Sequence, residues 1–220
     1  MTTGRRKDVY ELACKHDIII MEDDPYYFLH PDRAFLDSFL SLDTEGRVVR
    51  FDSMSQLLSP GLRVGFVTGP GPLMERLDYH VQATNLHSSG LSQTLVQKLM
   101  QSWGVGGFEA HSARAATFYS RRRDVLLGAA RRHLGGGLAE WNSPDAGMFL
   151  CIKLLDGITD ARYLIEERAA EARVLLVPGQ SFDPLDRPSP YVRASFSTAT
   201  DEEIELAMER LAALVKGREL

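Results

Sequence analysis

The chain has 220 residues, 44% of them apolar, and a formal net charge of -5. That much apolar chain can fill a core in one or two domains, which excludes overall disorder, and the acidic balance argues against a nucleic-acid partner. The two cysteines, Cys14 and Cys151, stand far apart and exclude a disulfide framework, and no apolar run approaches the ~18 residues of a membrane span. The basic triplet Arg121, Arg122 and Arg123 reads as a solvated helix face. The opening MTTGRRKDVYE carries charge but no apolar segment of a secretion signal, so a soluble, cytoplasmic protein is the expectation.

In chain order, Lys7 to His16 has helical periodicity through Val9, Leu12 and Ala13, and leads into the β-branched run Ile18 to Glu22. After a polar stretch, Val48 to Ser53 and Leu62 to Gly69 read as strands buried on two faces, as in an α/β sheet. A helix follows Gly69 with Pro72 near its first turn, and a second runs from Gly90 to Ser102. A long amphipathic helix from about Gly107 to His133 ends at the triple glycine Gly135 to Gly137. Beyond it come a hairpin in LAEWNSPDAGMFLCIKL, a helix near Asp160 to Ala172, strands at Val174 to Val177 and Tyr191 to Phe196, and a last helix from Asp201. This order divides the chain into residues 1–105 and an α+β domain of residues 106–220 entered through the long helix. The first part offers few strands for a sheet buried on both sides, as though the chain started in the middle of a domain.

Candidate chemistry gathers in three places. Ser53 and Ser55 flank a strand-to-helix turn where hydroxyls and free N–H groups can converge on an anion, and Arg63 can add a guanidinium to the same phosphate or carboxylate. The plain alternative is a helix cap and a surface charge. Asp24 follows a strand end, where open sheets place ligands and where a carboxylate can pair with a protonated ring nitrogen. Glu22, Asp23 and Asp24 as a metal cluster is the competing reading, weakened by the alternating directions of consecutive residues and by the lack of a nearby histidine. Tyr27 can donate a phenolic hydrogen bond to a ligand. Arg193 interrupts the apolar strand SPYVRASFS, so it is paired, faces a cleft as a carboxylate clamp, or points to water from an edge strand. The six histidines show no metal-ligand spacing, no nucleotide P-loop occurs, and GQSFD around Ser181 is not a serine-hydrolase elbow.

Five segments, EDDPYYFL, DSMSQLLSPGLRVGF, AEWNSPDAGMFL, LLVPGQSF and YVRASFS, together resemble the fold-type I, pyridoxal-phosphate-dependent aminotransferases of class I/II, in the aminoadipate/kynurenine and aromatic amino acid branch. The resemblance implies an α/β fold made of a partial large-domain sheet (residues 1–105) and a C-terminal α+β small domain with its bridging helix (residues 106–220). It implies pyridoxal 5'-phosphate as cofactor, with Asp24 on the pyridine nitrogen, Tyr27 on the ring hydroxyl oxygen, Ser53, Ser55 and Arg63 on the phosphate, and Arg193 on the substrate α-carboxylate. The implied reaction moves an amino group from an aromatic or 2-aminoadipate-like amino acid to 2-oxoglutarate.

Two departures from that pattern stand out. Gln56 occupies the position of the lysine that forms the Schiff base and moves the proton, and a carboxamide has neither a nucleophilic amine nor useful basicity. The resemblance also covers only the second half of the family chain, without the half that supplies the opposite wall of the pocket. Catalysis by this chain alone is therefore expected to be lost or impaired. A homodimer, or association with a complementary N-terminal half or a full-length homologue as a non-catalytic partner, is the expected assembly.

Overall fold

A computed structural model describes residues 1–32 and 36–217. The chain forms two compact units, Met1–Ala116 and Thr117–Leu220.

In the first unit, helix α1 (Thr3–Lys15) starts where the Thr2 hydroxyl accepts a hydrogen bond from the Arg5 N–H, and it buries Arg6, Tyr10 and Ala13. Strand β1 (Ile20–Asp23) pairs in parallel with β2 (Val48–Ser53), and β2 pairs antiparallel with β3 (Gly65–Thr68). The short helix α2 (Phe39–Leu42) lies between β1 and β2 in sequence. Tyr10 ties α1 to the turn that enters β2: its hydroxyl donates to Asp43 at 2.9 Å and accepts the N–H groups of Thr44 and Glu45 at 2.8 and 3.0 Å. The Asp43 carboxylate in turn accepts the N–H groups of Arg47 and Val48, each at 3.0 Å. Burial acts to raise its pKa, but these bonds together outweigh it and hold the carboxyl below the ordinary aspartate value.

Of the two strands expected to be buried on both faces, only β2 begins so, with Val48, Val49 and Arg50 buried. All four residues of β3 are exposed, Phe66 to 43%, and the strand is shorter than expected because Leu62 belongs to a 3₁₀ turn, Pro60–Leu62. The reason is positional: β3 closes the order β1-β2-β3, with no further described strand beyond it. Helix α3 (Gly71–Thr84), with Pro72 in its first turn, buries none of its residues. Helix α4 (Gly90–Leu134) is interrupted at Gly104, whose φ of 58° and ψ of -171° only glycine adopts without strain. The break falls between the two helices read from the sequence.

The second unit contains the C-terminal part of α4 and an antiparallel sheet in the order β4-β5-β7-β6. Its strands are β4 (Ala139–Trp141), β5 (Phe149–Leu154), β6 (Val177–Pro178) and β7 (Tyr191–Ser195). Leu150, Ile152 and Leu154 of β5 alternate with more exposed residues, as do Val192 and Ala194 of β7, so one face carries the core. Leu126, Leu127, Ala130 and Leu134 of α4 belong to the same cluster, with Phe196 and with Ile204, Met208 and Leu211 of helix α5 (Asp201–Val215). Buried Arg122 fastens the end of β7 to α4 by donating from Nε to the Phe196 carbonyl at 2.6 Å. A reciprocal capping box of Thr200 and Glu203 starts α5. The expected helix near Asp160 to Ala172 includes a π-helical stretch, Leu164–Ala169. The expected strand Val174 to Val177 shrinks to β6, because Arg173 sits in the left-handed region at φ 58° and Leu175 is 89% exposed.

Candidate cofactor and carboxylate sites

The parallel register places Asp23 beside Phe51, so Asp24 and Ser53 stand at the carboxyl ends of neighbouring strands. That end of a parallel pair is where an open α/β sheet offers ligands its loops and free backbone donors. Asp24 is half-buried. Its Oδ2 lies 3.9 Å from Nη2 of Arg6, and its main-chain carbonyl accepts from Arg50 at 3.5 Å. Burial pushes the Asp24 carboxyl above its ordinary pKa; Arg50 and Arg6 pull it back, while Glu22 and Asp52 add to the rise.

Ser53 ends β2, and its hydroxyl oxygen accepts the N–H of Ser55 at 3.1 Å. The chain then makes one helical turn, with the Leu58 N–H on the Met54 carbonyl at 2.8 Å. The Ser55 hydroxyl oxygen accepts from Nη1 of Arg63 at 3.3 Å. Both serine oxygens serve as acceptors in these contacts, so their O–H groups remain able to donate to an anion. Arg63 holds φ at 52°, a left-handed conformation that costs a non-glycine residue about 1 kcal/mol or more. From it the guanidinium turns back over the Pro60 carbonyl, at 3.3 Å, and over Ser55. The structure thus brings Ser53, Ser55 and Arg63 together as donors around one turn, a donor set suited to a phosphate.

Gln56 lies inside that turn, and its side-chain Oε1 is buried without a hydrogen-bond partner among the described residues. The next residue is held firmly: His111 places a ring nitrogen 2.8 Å from the Leu57 carbonyl and stacks on Trp103 at 4.7 Å. Tyr27 sits in a 3₁₀ turn, Tyr27–Leu29, with its ring under the Arg50 guanidinium at 4.9 Å. Its hydroxyl donates to the Leu36 carbonyl at 3.3 Å, so a ligand oxygen would have to displace that contact.

Arg193 belongs to the second unit. It lies on the non-core face of β7, an interior strand between β5 and β6, opposite Cys151 and Val177. Its guanidinium is flanked by the rings of Phe149 at 4.2 Å and Phe182 at 4.5 Å. Among the described residues it forms no ion pair, so a charged fork is held in an aromatic bracket with its hydrogen-bonding edge unclaimed by a carboxylate.

Charged residues on β1 and β2 carry a role that the sequence reading missed. Arg50 donates from Nε and Nη2 to Asp52 at 2.9 and 3.0 Å and lies 3.3 Å from Glu22. Glu22 accepts the N–H groups of Phe39 and Leu40 at the start of α2, at 2.8 and 3.1 Å. Its carboxylate is therefore structural, and among the described residues no group of three His, Cys, Asp or Glu side chains could hold a metal ion. The signal was available: a charge inside the apolar strand VVRFDS demands a partner, as it does for Arg193.

The sequence profile of the family "Aminotransferase class I and II" matches residues 2–211. The chain belongs to the class I and II aminotransferases. It is 50% identical over 218 residues to the mitochondrial kynurenine/alpha-aminoadipate aminotransferase of Rattus norvegicus, and 48% identical over 217 residues to that of Bos taurus. Each alignment covers 98% of this chain and 51% of the relative, so the chain spans about half the length of the curated relatives it matches. Among solved structures, the kynurenine aminotransferase of Pyrococcus horikoshii, in complex with PMP, superposes with a TM-score of 0.89 at 31% identity, over 99% of this chain and 52% of that one. The alpha-aminoadipate aminotransferase of Thermus thermophilus, complexed with N-(5'-phosphopyridoxyl)-L-leucine, gives 0.88 at 30% identity, over 96% of this chain and 54% of that one. Pyridoxal phosphate is the cofactor of this aminotransferase family, and the fold is the corresponding partial α/β fold. No helix among the described residues is long and apolar enough to cross a membrane.

Proposed function

We propose that this chain provides the phosphate- and ring-nitrogen-binding side of a pyridoxal phosphate site, that it binds the cofactor reversibly, and that it cannot hold it through an amine. The observation that carries this reading is the buried, unpartnered Gln56 Oε1 in the same turn as the Ser53, Ser55 and Arg63 donors. The donor set fits the phosphate, and Asp24 fits a protonated pyridine nitrogen. The carboxamide does not fit a covalent attachment.

When bound, pyridoxal phosphate supplies an electron sink for breaking bonds at the substrate α-carbon. The Ser53 and Ser55 hydroxyls and the Arg63 guanidinium would hold the phosphate, Asp24 would keep the proton on the ring nitrogen, and Tyr27 would exchange the Leu36 carbonyl for the ring oxygen. Arg193 would bind the α-carboxylate. The kynurenine/alpha-aminoadipate aminotransferase relatives support an aromatic or 2-aminoadipate-like amino acid as the substrate class, and the family resemblance supports 2-oxoglutarate as acceptor. Gln56 can donate and accept hydrogen bonds but cannot take the α-proton, and loss of a general base alone costs about 10²- to 10⁴-fold. On this reading residues 1–105 are the end of the cofactor-binding domain and residues 106–220 the bridging helix and small domain.

Mixing the chain with pyridoxal phosphate, reducing with borohydride and mapping adducts by mass spectrometry tests the proposal. Reversible binding with no reducible adduct at the Ser53–Arg63 turn is expected; an adduct mapped there overturns it. Gln56→Lys is expected to create that adduct.

A second reading is a non-catalytic partner, as a homodimer or on a complementary half or full-length homologue. The strand β3, exposed along its length, and the unburied helix α3 favour it. Coexpression with a full-length homologue should then yield a complex of summed mass, and separate elution of the two chains would end that reading. The expected compartment is the cytoplasm, although the rat and cattle relatives are named as mitochondrial; cell fractionation decides it.

A further inference from the structure

Five ionisable side chains of the first unit converge near the carboxyl ends of β1 and β2: Arg6 from α1, Glu22 from β1, Asp24 just beyond it, and Arg50 and Asp52 from β2. Fully ionised, they set three carboxylates against two guanidinium groups. Arg50 commits its charge to two of the three acids, gripping Asp52 through two hydrogen bonds at 2.9 and 3.0 Å and lying 3.3 Å from Glu22. Toward Asp24 it offers only a main-chain contact, Nη2 to the carbonyl at 3.5 Å, while its Cζ lies 4.9 Å from the centre of the Tyr27 ring. Arg6 is drawn elsewhere too: its Nη1 donates to the Asp37 carbonyl, and its Nη2 stays 3.9 Å from Asp24 Oδ2, beyond hydrogen-bond length. The backbone of Asp24 is therefore held, while among the described residues its carboxyl group has no hydrogen-bonded cation.

We propose that Arg50 is a positioning residue which fixes Asp24 and Tyr27 together, and that Asp52 and Glu22 keep its guanidinium off the Asp24 carboxylate, reserving that carboxylate for a cationic ring nitrogen brought by the ligand. The proposal deepens the reading of Asp24 given above and rests on it only for the identity of the ligand. It accounts for two buried acids around one arginine where a single acid would balance it. A free Arg50 would pair with Asp24 and compete with the ligand. An absent Arg50 would leave Asp24 among carboxylates, where it would take up a proton and offer the ring nitrogen no charge.

The test is a carboxyl ¹³C NMR titration of the full chain, with Asp24→Asn to assign the Asp24 signal. Asp52→Asn should lower the Asp24 midpoint by about 1 unit, because a like charge is lost and Arg50 is released toward it, and Arg50→Met should raise it by about 1 unit or more. Arg50→Lys, which keeps the charge without the fork, should fall between wild type and Arg50→Met. In parallel, pyridoxamine 5'-phosphate, which needs no amine at position 56, should bind Asp52→Asn about tenfold more weakly than wild type, the equivalent of one pKa unit. Opposite shifts in the two variants support the proposal; shifts of the same sign, or none, in folded variants overturn it. Should Arg50→Met fail to fold, Asp52→Asn alone decides, a fall supporting the proposal and an unchanged midpoint overturning it. Opposite shifts with no pyridoxamine phosphate binding by wild type would retain the role of Arg50 and remove the cofactor reading.

Discussion

The two halves of this aminotransferase chain solve the burial problem differently. In Thr117–Leu220 one apolar cluster runs from Leu126 to Val215, strands alternate cleanly between core and solvent, and α5 is capped. In Met1–Ala116 the buried groups include Arg6, Glu22 and Arg50 beside apolar residues such as Leu29 and Val48, while Met21 is 72% and Val105 82% exposed and β3 is exposed throughout. The first arrangement is held by its own side chains. The second buries paired charges beside its apolar interior and leaves apolar faces open.

The contrast can be broken most directly at Phe196, fully buried in the second unit. Phe196→Ala should cost about 3–5 kcal/mol in denaturant unfolding; a loss below about 1 kcal/mol would deny that unit its own core. Next in size, Tyr10→Phe removes the hydroxyl shared by Asp43, Thr44 and Glu45 and should cost about 1–3 kcal/mol, read as a lowered melting midpoint of the first unit. The same variant should shrink the acid-dependent part of that stability, because Asp43, left to backbone donors alone, would have a folded pKa nearer its ordinary value. Asp43 has a depressed folded pKa, so its contribution is present above the unfolded value and is lost as pH falls through the folded one.

Smaller still is the surface cluster in which Arg132 and His133 hold Glu205 at a pKa of about 2. By the same sign, its contribution is complete above the ordinary glutamate value and disappears as pH falls toward about 2; Glu205→Gln should remove that part of the acid transition of the second unit, and salt should shrink it. The smallest effect is expected at Phe66 on β3, where Phe66→Ser should change stability by less than about 0.5 kcal/mol. It should reduce self-association in sedimentation instead. A large stability loss there would mean that β3 is packed after all.

How much of this was legible in the sequence follows the same division. The alternation in FLCIKL and YVRAS, the cap before Asp201 and the glycine break between two helices are local signals, and local physics decides them. The run from Leu62 to Gly69 was legible as a strand but not in its surroundings, because an apolar segment reads alike whether or not the chain at hand covers it. The donor turn from Ser53 to Arg63 was legible because hydroxyls, Pro-Gly and arginine crowd a few residues. That Arg50 needs a partner was signalled by a charge inside VVRFDS with Asp52 two residues on, but its meeting with Glu22 and Asp24 was not, since these are far away in sequence and become neighbours only through the β1–β2 register.

The tether between His111 and the Leu57 carbonyl has a consequence for engineering. With an imidazole braced on an indole gripping the neighbouring peptide, the main chain just after position 56 is anchored by contacts that do not involve the side chain placed there. An amine grafted onto that spot would start from a backbone path already set by the scaffold, so attachment of a cofactor, as distinct from the rest of the pocket, would turn on one functional group.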